Sequence, residues 1–376
     1  MLKKIKFSTS IAAICPEKAK SCFRKHLCLN FLRTLLRFLR TRVKSTIFFV
    51  FCVEHTTMKF FRICGCCLCC LLAGLFKAKA QTDGYRTKIA EFSYQVTGAY
   101  QAISNSETFG DASSEVNRDE LWKIKLGIPL VINDRKLIGL QVKYYRQHFG
   151  FNNDDFAGNY DLYNHLNGQL FQNVGLRFVY QTDIDETRQF SFVTGVSVRG
   201  DRLVKSPNTS RYFVSGVYKK QLNAHTKIGF GAFFSYGMHL TSVAPVFTFE
   251  KTLNPHWTLD LNLPRSASIR RKINDKTFLI GEAAFEGWRY NLSDPIAGED
   301  RDFTLRKADV QFRLKFEREI HDWLWFGAEA GYNKNVSYYL ANPGDRGNNA
   351  LIDLRARDAR YFKLSIFIVP PKILSK

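Results

Sequence analysis

Five cysteines, Cys64, Cys66, Cys67, Cys69 and Cys70, stand close enough in sequence to suggest thiolate coordination of a soft metal. A tetrahedral site of that kind draws on separated ligand pairs, whereas these five lie inside one apolar run with no second cluster to complete the shell. No metal centre is expected. All nine cysteines lie at or before Cys70, so residues 71–376 carry no thiol. A thiol-free body suits a chain that must cross an oxidising compartment without stray disulfides.

Hydrolytic chemistry would need a nucleophile, a base and a group to orient the base. The body offers His148, His165, His225, His239, His256 and His321. His225, His256 and His321 read as turn residues. His239 stands three residues before Ser242, but no hydrolase signature surrounds the pair, and no enzyme activity is expected. Phosphate-binding loops, dinucleotide fingerprints and paired metal motifs are missing as well, so no cofactor is expected. The acids Asp154 and Asp155, and Glu299, Asp300 and Asp302, lack the ligand spacing of a calcium loop and read as solvated loop residues.

The charged set with most potential lies late in the chain: Arg271, Glu282, Glu286, Arg313, Lys315, Glu317 and Glu329. On one face of neighbouring strands it would form either a charged constriction that selects a permeant or a self-neutralising ion-pair network. Mixed signs favour the network. Arg271, Glu282 and Glu286 share the parities of Ile269, Ile280 and Trp288, so alternation alone does not fix their face.

The elements that would position these charges are β-strands. From residue 86 onward, period two dominates. Trp122, Ile124, Leu126, Ile128, Leu130 and Ile132 alternate with Lys123, Lys125 and Gly127, and Val310, Phe312, Leu314 and Phe316 with Asp309, Gln311, Arg313 and Lys315. No convincing helical period occurs after residue 80. Strands are predicted near 88–101, 119–132, 137–149, 168–181, 188–200, 210–222, 226–237, 243–253, 256–263, 266–273, 276–290, 303–319, 323–338 and 357–369. That count is fourteen if Pro264-Arg265 forms a tight hairpin; twelve strands, or one kinked strand there, are the alternatives.

Connections separate a membrane barrel from a soluble sandwich. Short polar turns at Asn133–Lys136, Thr182–Thr187, Asn223–His225, Asn254–Pro255, Asn274–Asp275 and His321–Asp322 tend to alternate with longer loops near 102–118, 150–167, 201–209, 291–302 and 341–355. This is the asymmetry of an all-β, transmembrane, antiparallel up-and-down barrel with turns on one side and loops on the other. Tyr144, Tyr145, Tyr180, Tyr212, Tyr218, Trp257, Trp288, Trp323, Trp325, Tyr338, Tyr339 and Tyr361 fall mostly near predicted strand ends. They would form interfacial girdles, or they simply reflect the preference of aromatics for strands.

A leader precedes the body. Met58 begins a segment with Lys59 and Arg62, an apolar run from Ile63 to Phe76, and Ala78-Lys79-Ala80 before Gln81. It reads as a signal peptide over 58–80 with Ala78 and Ala80 at the cleavage-critical positions and Gln81 as the new terminus. Residues 1–57 read as upstream sequence ahead of the true start, with a basic amphipathic membrane anchor or an organellar presequence as the alternatives. The net charge of +21 invites a nucleic-acid reading, yet residues 1–80 hold 16 Lys and Arg against two acids. The bulk charge belongs mostly to the leader, and no nucleic-acid partner is expected.

The Ala-Gln leader end, together with Leu261-Asn262-Leu263-Pro264 and Ile269 through Lys276, resembles an uncharacterised Bacteroidota-type outer-membrane β-barrel family. The resemblance covers most of residues 81–369. It implies a barrel over 81–376 in the outer membrane, reached by export through the periplasm, with no established activity. One departure is that Phe367 is followed by Ile368 through Lys376, where many such barrels end on an aromatic. The function expected is a passive pore or small-solute binding barrel. The alternatives are a non-conducting structural or assembly barrel of an envelope complex and, third, a lipid-modifying enzyme. Lipid, lipopolysaccharide and the barrel-insertion machinery are the expected partners.

Overall fold

Each long alternating run commits its strand to one register, because a slip of one residue would turn the whole apolar row to the opposite face. In a computed structural model, the described residues are 88–370 apart from 108, 134, 153–160, 294–301 and the side chain of Asp161. The chain divides into two units, Met1–Ala73 and Gly74–Lys376, and every described residue belongs to the second.

The strands are β1 (Ala90–Thr97), β2 (Tyr100–Asn105), β3 (Ala112–Ile132), β4 (Lys136–Phe151), β5 (Leu170–Asp183), β6 (Arg188–Gly200), β7 (Ser210–Asn223) and β8 (Thr226–Gly237). They continue as β9 (Leu240–Asn254), β10 (Trp257–Leu263), β11 (Ser266–Asn274), β12 (Thr277–Leu292), β13 (Phe303–His321), β14 (Leu324–Ala341), β15 (Ile352–Ala356) and β16 (Ala359–Ile368). From β3 to β14 each strand pairs with the next, antiparallel. β1 and β2 are halves of one wall strand broken at Gly98-Ala99, and β15 and β16 are halves of the last, broken at Arg357-Asp358. β16 pairs with both β14 and β1, and β1 pairs with β3, which closes a 14-stranded antiparallel barrel.

The turn-end connections are fastened by short polar side chains, which mimic a backbone turn at small entropic cost. Asn133 Oδ1 accepts from the Lys136 N–H at 2.7 Å, Asn254 Oδ1 from the His256 N–H at 2.9 Å, and Asn274 Oδ1 from the Lys276 N–H at 2.9 Å. At the loop end, two expected loops are shorter than the sequence predicts. β2 and β3 run on to a tight connection over 106–111, and β15 occupies part of the segment read as a loop over 341–355. Polar residues such as Ser113, Glu115 and Asn117 break the apolar alternation there, yet the backbone stays paired. A helix, α1 (Asp161–Leu166), lies in the connection between β4 and β5. Its single turn is too short to register as a helical period.

The outer face is apolar and open. Phe92, Leu176, Phe230, Phe285, Phe312, Leu314, Phe362 and Ile366 are all exposed there. A continuous belt of this kind belongs against hydrocarbon. Of the aromatics proposed as girdles, Tyr144, Tyr180, Tyr212, Tyr218 and Trp257 share the outward rows by register. Tyr145, Trp288, Trp325, Tyr338 and Tyr361 instead sit on inward rows, because their parity matches that of the lumen residues beside them.

Counting β1–β2 and β15–β16 as single wall strands, β10 and β11 are the shortest adjacent pair in the wall. β10 reaches only the half of β9 from Phe247 to Asn254, and β11 only the half of β12 from Thr277 to Ala284. Beyond the Pro264-Arg265 turn, the rest of β9 pairs on one side alone. Pro245, which has no N–H to give a second neighbour, lies in that stretch. The wall is therefore notched between β9 and β12.

Candidate functional site in the lumen

The interior is filled unequally around its circumference. Three layers stack along the axis, the lower two beneath β12, β14 and β16 and the uppermost spanning β2 to β5 as well. At the turn end, Phe278, Ile280, Trp325, Phe367 and Val369 form a small buried apolar cluster. Phe367 thus serves as an inward plug, its ring 6.1 Å from that of Trp325.

The middle layer is a charge network. Arg313 Nη2 lies 2.7 Å from Glu282 Oε1, and its Nη1 lies 3.6 Å from Glu286 and 3.9 Å from Glu329. Lys315 also engages Glu282. Glu329 takes a 2.6 Å contact from Lys363 and a 2.7 Å hydrogen bond from the Tyr361 hydroxyl. Glu317 pairs with Lys88 at 2.6 Å, and Glu91 with Lys125 at 3.0 Å. Of the charges singled out in sequence, Glu282, Glu286, Arg313, Lys315, Glu317 and Glu329 face inward and meet in or beside this network. Arg271 does not. Its register with Trp257 and Leu279 puts it on the outer row, and its guanidinium lies 5.4 Å from the Trp257 ring. Arg271 shares the parity of Ile269, which is exposed to the outside, and this is why it cannot reach the lumen. Lys88, Glu91, Lys125 and Lys363 were missed, since they lie far off in sequence and join only when the wall closes.

The third layer caps the loop end. Phe149, Phe171, Leu292, Phe303, Leu305 and Leu340 form a buried apolar core, into which α1 inserts Leu162, Tyr163 and Leu166. Those three share one face of the helix turn. The Tyr163 ring stacks on Phe151 at 5.0 Å.

The lumen face of β4 to β8 is different. Gly175, Ser191, Gly195, Ser197, Ser215 and Ser235 line it with small side chains, and its bulk comes from cations and from the stacked rings of Phe213 and Phe233. Lys143 on β4, Arg177 on β5, Arg199 on β6 and Arg211 on β7 all point inward on four successive strands. Lys143 lies where a Cβ on Gly175 would stand, so this glycine makes room for the row, while Gly195 admits the Leu176 carbonyl and the Phe213 ring. Arg177 stacks on Phe213 at 5.4 Å. Arg211 donates to Ser235 Oγ at 3.1 Å. Arg199 Nε donates to Ser197 Oγ at 3.3 Å. Sequence reading passed over this row because its members come from separate strands and none stands beside another charge.

At the loop end the 14-stranded wall narrows. Asn291 of β12 forms a parallel bridge with Gly200 of β6, although these strands are not neighbours in the wall. The Asp201 N–H donates to the Asn291 carbonyl at 3.1 Å, and the Ser293 N–H to Asp201 Oδ2 at 2.8 Å. Against the outer side of this pinch lies a cavity of about 330 Å³, lined by Leu240 to Val243, Arg289, Arg306 and Arg346. His239, in the turn beside it, shares a 2.8 Å hydrogen bond between Nε2 and Asn208 Oδ1. Asp302 accepts from Asn208 at 2.5 Å, while the acids at 154, 155, 299 and 300 lie outside the described residues, as do Ala78, Ala80 and Gln81.

A family model matches residues 158–367, more than half of the chain. The chain belongs to the family described as "Domain of unknown function (DUF6268)". No curated protein matches it. In structure, the DUF6268 chain is similar to a Pseudomonas aeruginosa FadL homologue, with 9% identity, a TM-score of 0.38, and coverage of 76% of this chain and 91% of that one. It is also similar to an outer membrane channel from Pseudomonas putida F1, at 8% identity and a TM-score of 0.36, covering 77% and 100% of the two chains. A third likeness is to the Salmonella typhi outer membrane phospholipase (OMPLA), at 6% identity and a TM-score of 0.33, covering 79% and 96%. A fold does not by itself assign a role, so a role for the DUF6268 barrel has to be argued from its lumen.

Proposed function

We propose that the protein is an outer-membrane barrel that passes or holds a small polar solute. The observation that carries this reading is the unequal lumen: below the loop-end cap, the β12 to β16 side is packed by an apolar cluster and ion pairs, while the β4 to β7 side carries cations that have no carboxylate partner among the described residues. A barrel serving only as a scaffold has no need of a row of uncompensated cations. The apolar belt supports a hydrocarbon surround, with lipid, lipopolysaccharide and the barrel-insertion machinery as partners. The leader supports export through the periplasm of a Bacteroidota-type envelope.

Catalysis is not part of this proposal; His239, the histidine nearest a serine in sequence, shares its hydrogen bond with Asn208. The seated helix α1 favours a second reading, a non-conducting structural or assembly barrel. Single-channel recording of the folded, processed protein in planar bilayers separates the two. Stable open steps support passage, and silence at high protein load selects the structural barrel.

A further inference from the structure

The cations of the lumen and of the loop-end cavity differ sharply in how they are paired. Arg313, Lys315, Lys88, Lys125 and Lys363 each have a carboxylate within contact distance. Among the described residues, no carboxylate forms an ion pair with Lys143, Arg177, Arg199, Arg211, Arg265, Arg289 or Arg306. The Arg177 Nε is buried without a hydrogen-bond partner. These charges are also close enough to repel one another: Arg199, Arg177, Arg211 and Arg265 all act on Lys143, and Arg289 and Arg306 act on Arg211. Arg265 reaches the row because it stands at the tip of the short β10–β11 hairpin. The acid it acts on, Glu286, is already engaged by Arg313.

Like charges facing one another in a low-dielectric interior are costly unless a counter-charge enters. Resting on the reading of a solute barrel, we infer that the cation row is a binding path for small anions bearing carboxylate or phosphate groups. It runs from Lys143 in the mid-lumen, through Arg177, Arg199 and Arg211, to Arg289 and Arg306, which stand by register on the outer row of β12 and β13 and line the loop-end cavity. Guanidinium forks match the paired oxygens of carboxylate and phosphate, and here arginine outnumbers lysine. The cavity of about 330 Å³ sits at the lower end of the ligand-site range of about 300–1,000 Å³, which fits a single small anion and not a polymer.

The test uses the folded, processed barrel in planar bilayers under a potassium chloride gradient. The reversal potential is expected to carry the sign of anion selectivity and to move toward zero in the double variant Arg177→Gln/Arg211→Gln. Arg177→Lys/Arg211→Lys should retain it, and Arg271→Gln, on the outer face, should leave it unchanged. Cation selectivity, or a glutamine variant indistinguishable from the parent, overturns the inference while leaving passage itself intact. If the barrel is silent, the proposed passage fails and the site is read another way. Sodium phosphate should raise the heat-modifiability midpoint of the parent above that in sodium chloride of equal ionic strength. The glutamine variant should lose this shift, and an equal shift in both proteins overturns the site.

Discussion

Gly200 and Asn291 are bridge partners across the barrel, joining strands that the wall order separates by five others. A Cβ on Gly200 would stand 3.0 Å from the Asn291 carbonyl oxygen, so the contact depends on a residue without a side chain. The pinch should be visible as a cross-link. Because the body has no native cysteine, the pair Asp201→Cys/Ser293→Cys gives an unambiguous readout. Oxidation of the folded protein is expected to produce one intramolecular disulfide and faster migration on a non-reducing gel. Two free thiols after oxidation would mean that the two strands do not meet.

Arg313 is the hub of the ion-pair network, since Glu282, Glu286 and Glu329 all converge on it. Arg313→Met would leave Glu286 without an ion pair and Glu282 and Glu329 with one cation each, Lys315 and Lys363, a smaller loss than the cost of about 3–5 kcal/mol for a fully buried charge left alone. The heat-modifiability midpoint should fall accordingly. Adding Glu286→Gln should restore part of the loss, because it removes the carboxylate left without an ion pair. A single variant as stable as the parent would show that solvent already screens the network.

Leu162 is buried in the loop-end core and belongs to the only turn of α1. Leu162→Ala should weaken docking of this segment by about 2–5 kcal/mol, the range for large-to-small changes in packed cores. The effect should be local. Proteolysis of the 152–169 connection is expected to quicken while the wall keeps its resistance, and general loss of resistance would contradict a separable cap.

Asp185, in the turn between β5 and β6, is held at a pKa of about 2. The Thr187 N–H is the main cause, joined by the Arg188 guanidinium and N–H. A depressed carboxylate stabilises the fold fully above its unfolded pKa of about 3.9 and loses that contribution as pH falls through the folded value. Carboxyl-detected NMR of the folded barrel should give Asp185 a midpoint well below its ordinary range. A midpoint near 3.9 would remove the turn lock.

The wall was legible in the sequence because strand alternation is a local property. Strand number followed from treating Pro264-Arg265 as a hairpin, and the observed turn after β10 agrees. Face assignment was legible where one row was plainly apolar, as around Phe312 and Leu314. It failed at Arg271, where both rows hold charged residues and only pairing with Trp257 decides. Lys143, Arg177, Arg199 and Arg211 were illegible as a group. Their proximity depends on cross-strand register over four strands, and nothing in their separate sequence neighbourhoods encodes it. The helix α1 escaped notice because one turn carries no period.

The bridge between β6 and β12 has one more outcome for transport. Fourteen strands circle the turn end, but beyond the notch the closed ring at the loop end runs β6-β5-β4-β3-β2-β15-β14-β13-β12, nine strands in all. That ring is filled by the apolar cap around Phe149, Phe171 and Leu292, with Leu162 and Tyr163 of α1 seated in it. A solute that follows the cation row therefore has to leave sideways, through the notch toward the cavity beside Arg289 and Arg306.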